Sequence, residues 1–599
     1  MLVVGTAGND VPLTGTDDAD EMFGDTTGTL TRRGGDDRIL GLAGDDVIAG
    51  DALDIAARVR GGNDVIVGGE GVDTLYGDAR GTLYGIGGND LLLPDPGEPF
   101  RVSSVFGDAQ TIAAGGRGGA DVIVQVDGGA ELFGDAVTIA AGGRGGNDRI
   151  YGGAANLAGE SDDNLTDVVC GHDLLDVSGA TGGATLWGEA LDNDLTGTTV
   201  GGNDTLIGSA FADEMYGEGA DLRDTARGGN DRFFGNRGED VIYGEAFDLN
   251  DLTVGGRDLI RGGDDDDEIY GDAFRIFDVA RGGKDTIHGD RGNDELTGDA
   301  STIAAGARGG DDLIFGGDGD DDIFGDANDT LEGTGGNDVI HQNAGTGILA
   351  GDALKIAAGG RGGDDRLYGE SILIGDSVDR MVDATGGDDL LDTGGALDGS
   401  TLCGDTFVSL EGSSQGGRDS LLGSRFADFL QGDADEFLAD AARGGNDRLS
   451  GNDGDDFLYG DCRVGMTGTA VGGNDRLRGD RGNDTLLGDA AELSGAARGG
   501  DDRLEGGSGD DELWGDGTLL EGATGGKDRF EFEDRFGNDR VYDFRQTDGD
   551  RIVFDDLQPA QVTITTDGVD TTLTARGVDT VTLVGFTGSL VLGIDILFD

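Results

Sequence analysis

The chain has 599 residues, of which 122 are Gly and 5 are Pro, and its 121 acidic residues against 42 Lys and Arg give a formal net charge of -79. With so little proline and no Gly-x-y period it is not collagen, and a polyanion lacks the basic face that phosphate binding needs, which excludes nucleic acid and anionic membrane surfaces as partners. With 36% hydrophobic residues such a charge would ordinarily mean disorder, but the chain carries ordered punctuation, and multivalent cations are its natural partner.

The start, MLVVGTAGND, has no basic n-region or long apolar stretch, and no run of 18 apolar residues follows anywhere; a cleaved leader and membrane insertion are not expected. From there a phrase G-G-x-D with an alternating apolar tail recurs, as GGNDVIVGG at Gly61, GGNDRIYGG at Gly145, GGNDTLIGS at Gly201, GGRDLIRGG at Gly255 and GGNDRLSGN at Gly444. Its aspartates, with variants such as AGND, GGAD, CGHD and GGKD, are Asp10, Asp37, Asp64, Asp90, Asp121, Asp148, Asp173, Asp204, Asp231, Asp258, Asp285, Asp312, Asp338, Asp365, Asp389, Asp419, Asp447, Asp475, Asp502 and Asp528. They cover 518 residues in nineteen steps of about 27, the period of a solenoid.

Between them lies a second phrase, as in GEGVDTLYGDA at Gly69 and DGDDFLYGDC at Asp453, with its own column of Asp20, Asp46, Asp73, Asp213, Asp240, Asp267, Asp294, Asp321, Asp428, Asp456, Asp484 and Asp511. A third, weaker apolar stretch follows Gly-Asp-Ala, as in GDASTIAAGARGG at Gly298, so each unit comprises three nonapeptide-like segments.

The first two segments fit G-G-x-G-x-D-x-U-x, with U a large aliphatic residue, and the chain resembles the RTX, or haemolysin-type calcium-binding, repeat family over residues 1 to 528. The resemblance implies an all-β chain folded as a right-handed parallel β-solenoid with many bound Ca2+ ions. The residues support this independently. Glycines supply the turns, x-U-x forms a short strand with U inward, and stacking sets equivalent carboxylates about 4.8 Å apart. A column at that spacing repels itself unless cations lie between the turns. Calcium accepts 6 to 8 oxygens, whereas magnesium keeps its waters and zinc prefers nitrogen and sulfur. The 32 aspartates named above are therefore the expected calcium ligands. An 18-residue, two-faced coil would rotate the Asp-poor segment into each ladder, so a coil of 27 residues and three segments is preferred. In the second column the Asp is replaced near Ala130, Ala184, Gly347, Ser371 and Ser400, which predicts fewer ions around residues 91–200 and 340–405.

Arginine precedes the Gly pair at Arg33, Arg60, Arg117, Arg144, Arg227, Arg281, Arg308, Arg361, Arg443 and Arg498. Pairing with the aspartate of Gly-Asp-Ala or with neighbouring carbonyls is the preferred explanation, and recognition of carboxylated or sulfated glycan the alternative. Aromatics stand before Gly-Asp at Tyr76, Phe133, Tyr216, Tyr243, Tyr270, Phe324, Tyr459 and Trp514. Alternation turns them away from U, toward solvent or a corner; corner filling is preferred over an exposed contact stripe. His172, His288 and His341 fall in variable slots, Cys170 beside His172 in CGHD replaces turn residues, and HExxH is absent. No catalytic constellation is expected, and the three scattered cysteines make no disulfide framework.

The prolines of LLLPDPGEPF suggest a loop leaving the solenoid. Beyond Asp528 glycine thins, and residues 529–599 read as a C-terminal β cap that also resembles the uncleaved signal region of type I secreted RTX proteins. The expected protein is thus secreted and bacterial, extracellular or at the cell surface, folded by calcium and non-enzymatic. A structural or matrix role, with possible self-association, is preferred to a glycan- or cell-binding adhesin using the Arg and aromatic ladders, and an RTX enzyme or toxin is disfavoured.

Overall fold

The computed structural model describes residues 1–94, 103–125, 130–153, 156–533 and 535–598. It is all-β: the chain winds as a parallel β-solenoid, and among the described residues the one helical segment is the single 3-10 turn Pro559–Gln561. No helix among them is long and apolar enough to cross a membrane. The chain divides into two compact units, residues 1–313 and 314–599.

In the first unit each coil has three faces. Strands Arg232–Arg237, Leu259–Asp264 and Thr286–Arg291 stack in parallel on face one, with Phe233, Ile260 and Ile287 in register. Val241–Tyr243, Glu268–Tyr270 and Glu295–Thr297 do so on face two through Ile242, Ile269 and Leu296. Ala246–Leu249, Ala273–Ile276 and Ala300–Ile303 form face three through Leu249, Ile276 and Ile303. All nine of these aliphatic or aromatic side chains are buried. Like stacks on like every 27 residues or so, the geometry that the three-segment period predicts, because a slip would pair an inward U with an outward polar residue. The turn closing the third segment needs a left-handed residue, and successive coils use Gly142 (φ 82°), Asp167 (φ 54°), Gly197 (φ 68°), Asp224 (φ 61°) and Asp251 (φ 58°). Asp substitutes for Gly there because it tolerates that conformation better than other L-residues.

The second unit repeats the design, with Leu449, Leu477 and Leu504 on face one, Leu458, Leu486 and Leu513 on face two and Leu438, Met466 and Leu493 on face three. Past Asp528 the parallel ladders continue: Arg529–Phe532 pairs with Arg503–Ser508, Arg551–Phe554 with Arg529–Phe532, and Ile596–Phe598 with Arg551–Phe554. Beside them Val562–Thr566, Thr571–Ala575 and Asp579–Leu583 form an antiparallel meander, whose last strand runs parallel to Asn538–Val541. The expected proline loop has its Pro96 and Pro99 outside the described residues; Leu91–Leu93 before it and Ser103–Phe106 after it both lie in the stacked sheets.

The aromatics before Gly-Asp form no exposed stripe. Trp187, Tyr216, Tyr243 and Tyr270 are buried and stack face to face with centroids 3.9, 4.9 and 5.2 Å apart, and Tyr76, Phe106 and Phe133 do the same at 5.4 and 5.0 Å. They occupy the corner position, where the coil spacing matches the stacking distance of aromatic rings.

Candidate metal centre

Of the 32 aspartates expected to ligate calcium, all but the half-buried Asp10 are buried. In the first column each carboxylate bridges two coils. The backbone N–H of Asp204 donates to Oδ1 of Asp231 at 2.6 Å, that of Asp231 to Asp258 at 2.7 Å and that of Asp258 to Asp285 at 2.7 Å. In the second unit the series runs from Asp365 through Asp389, Asp419 and Asp447 to Asp475, each link 2.8 Å. The other oxygen, Oδ2, of Asp231, Asp258, Asp389, Asp419 and Asp447 is buried with no hydrogen-bond partner.

The second column is built alike: Asp213 donates to Asp240 at 2.8 Å, Asp240 to Asp267 at 2.9 Å, and Asp428, Asp456, Asp484 and Asp511 continue in the second unit at 2.8 to 2.9 Å. Where its Asp is replaced, the register holds without the carboxylate. The N–H of Asp73 donates to Ser103 Oγ at 3.1 Å, and Ala184 and Ser400 donate to Asp213 and Asp428. At the first coil Asp20 pairs with the terminal ammonium of Met1 at 2.6 Å.

A third column of buried carboxylates lies beside the first, and it is not among the residues expected from the motif. It consists of the acidic residues of Gly-Asp-Ala: Asp51, Asp78, Asp108, Asp135, Glu160, Glu189, Glu218, Glu245 and Asp272 in the first unit, and Asp352, Asp376, Asp405, Asp433, Asp461 and Asp489 in the second, all fully buried. Each accepts the N–H of the second glycine of G-G-x-D about one segment later, as Gly62 donates to Asp51 at 2.9 Å, Gly88 to Asp78 at 2.7 Å and Gly445 to Asp433 at 2.6 Å. That fold-back brings columns one and three together: single ligand atoms of Asp173, Glu189 and Asp204 lie within 4.8 Å of one another. The recurrence of Gly-Asp or Gly-Glu in every coil is the signal in the sequence that marks this column. Asp539 and Asp550 likewise extend columns two and one past Asp528.

The arginine ladder therefore does not pair with these aspartates, which are sealed inside, while Arg60, Arg117, Arg144, Arg281 and Arg308 are exposed. Arg33 pairs with Asp36 at 3.4 Å and Arg60 donates to Asn89 at 2.8 Å.

Burial dominates the electrostatics. Desolvation, then like-charged neighbours, pushes Asp64, Asp121, Asp258 and Asp419 well above the ordinary carboxylate range. Desolvation also raises Asp240 to about 7 and Asp267 to about 8. Ionised carboxylates at this density need compensating charge. The donor set suits a hard cation. A Cβ on Gly244 would collide with the carbonyl oxygen of Gly271 and lie 2.7 Å from Asp258 Oδ2, so glycine leaves open a cradle lined by a carbonyl and an orphaned carboxylate oxygen. Oxygen-only donors from side chain and backbone are what calcium takes.

The sequence model of the RTX calcium-binding nonapeptide repeat matches residues 33–52, 59–79, 143–156, 198–221, 225–248, 254–275, 279–302, 307–328, 325–352, 414–436, 441–461, 469–491 and 497–517. The chain is an RTX-repeat protein. Its repeats bind Ca2+ at multiple sites. No curated protein matches the chain. The unmatched stretches 80–142 and 353–413 contain Ser103, Ala130, Ser371 and Ser400 of the second column, yet the first column runs through them as Asp90, Asp121, Asp365 and Asp389. In this RTX chain the coil persists where the motif fades.

Proposed function

We propose that this RTX protein is secreted, folds on calcium outside the cell and serves a structural or matrix role at or around a bacterial surface, without catalysis. The observation that carries this reading is the burial of three carboxylate columns whose charge calcium neutralises. A chain whose core is made of metal sites gains its folding energy from the metal. Extracellular calcium modules bind at roughly 0.1 to 1 mM, so the chain stays open where calcium is scarce and closes where it is abundant. Residues 1–528 act as the calcium solenoid, whose columns run on through Asp539 and Asp550, and the rest of 529–599 acts as a cap and type I export region. Open solenoid ends are strand edges, which favour association unless covered.

Negative-stain microscopy and sedimentation in calcium and in chelator test the structural role. Calcium-dependent assemblies are expected; a folded monomer at every concentration would count against it. The exposed arginine column favours a second reading, glycan binding, with the aromatic contribution reduced because most of those rings are buried, Tyr459 and Trp514 being half-buried. That reading requires retention on a sulfated polysaccharide in calcium, reduced by Arg281→Gln with Arg308→Gln.

A further inference from the structure

Cys170 occupies the place that the adjoining coils give to glycine. The N–H of Gly145 donates to the carbonyl of Val169, that of Cys170 to Val200 and that of Gly201 to Arg227, so the three are one position in successive coils. At that position a Cβ points at the third column: on Gly61 it would meet carboxylate oxygens of both Asp51 and Asp78. At Cys170 the side chain is real, and the third column on either side of it is glutamate. Single ligand atoms of Glu160, Cys170 and Glu189, all buried, lie within 4.8 Å of one another. One oxygen of each glutamate accepts a backbone N–H, from Gly171 and Gly202 respectively, and the other, Oε2, is fully buried without a hydrogen-bond partner.

We propose that Glu160, Cys170 and Glu189 form a site for one thiophilic divalent ion of the zinc class, set within a ladder that otherwise takes calcium. Sulfur is a poor donor for calcium, which is held by oxygen. Zinc accepts a thiolate together with carboxylates and takes three protein donors with water in a fourth position. As the metal–sulfur bond forms, the thiol proton leaves to solvent together with any proton held by the two glutamates, so binding releases protons and strengthens as pH rises.

The inference rests on the coil being folded by calcium, and the test separates the two. The full chain in saturating calcium is titrated with Co2+ and followed by near-ultraviolet absorption, with circular dichroism on the same samples. A thiolate-to-cobalt charge-transfer band is expected, saturating at about one equivalent, displaced by Zn2+ and not by further Ca2+. Cys170→Gly restores the glycine of the repeat and is expected to keep the β spectrum and lose the band, although Cys403 and Cys462 remain. A β spectrum with no band in the unsubstituted chain, or a band that survives in Cys170→Gly, overturns the site. Failure to gain the β spectrum in calcium overturns the calcium-folding reading instead.

Discussion

Asp258 is both a structural acceptor and an unmet demand: Oδ1 takes the N–H of Asp231 at 2.7 Å, while Oδ2 lies buried without a partner among like charges. Asp258→Asn keeps the first oxygen and removes the charge, so its effect reverses with conditions. In chelator the substitution relieves repulsion and favours the coil; in calcium it removes a charged ligand and raises the calcium needed for folding by roughly tenfold. Calcium titrations followed by circular dichroism check both halves. Glycines divide as sharply. Gly244→Ala drives a Cβ into the Gly271 carbonyl and is expected to cost about 1 to 3 kcal/mol, whereas at Gly28 the nearest atom is Thr26 Oγ1 at 3.8 Å and Ala is expected to be nearly neutral. Thermal melts in calcium distinguish the pair. The sequence made columns one and two legible because both sit in a recognisable nonapeptide. The Gly-Asp-Ala acids escape the motif because spacing along the chain does not reveal that this turn folds back under the next G-G-x-D.

At the scale of the element, the three-segment period was enough to predict coils of about 27 residues, since only that length keeps Ile260 over Phe233 and Ile269 over Ile242. Strand alternation alone did not place the aromatics, because Tyr243 ends its strand, where the chain turns the corner and alternation no longer specifies direction. There it lies between Tyr216 and Tyr270, at 4.9 and 5.2 Å. Tyr243→Ala opens a cavity in that stack and is expected to cost about 3 to 5 kcal/mol, against a small effect for truncating the exposed Phe211. Calcium-dependent melting of the two variants checks the contrast. Persistence of the stacked coils among the described residues of 80–142, where the second column lacks Asp, shows that columns one and three and the packed aliphatic core hold the register.

For the whole molecule the governing quantity is the -79 formal charge and where it sits. Buried carboxyls raised to about 7 in Asp240 and about 8 in Asp267 hold protons in the metal-free fold that they release when unfolded. Their contribution to the metal-free fold is therefore complete below the usual carboxylate value near ~3.9 and is lost as pH rises through about 7 to 8. In chelator, lowering the pH from about 8 to about 5.5 is expected to increase β content, whereas in limiting calcium the same change weakens folding because protons compete for the ligands. The most direct test of calcium as the fold's counter-charge is far-UV circular dichroism of the full chain at pH 8, titrated with calcium from chelator, with magnesium as the control. A cooperative coil-to-β transition driven by calcium and not by magnesium is the predicted result. A β spectrum already complete in chelator would contradict the account, because the buried carboxylate columns would then stand without the ions that are argued to hold them.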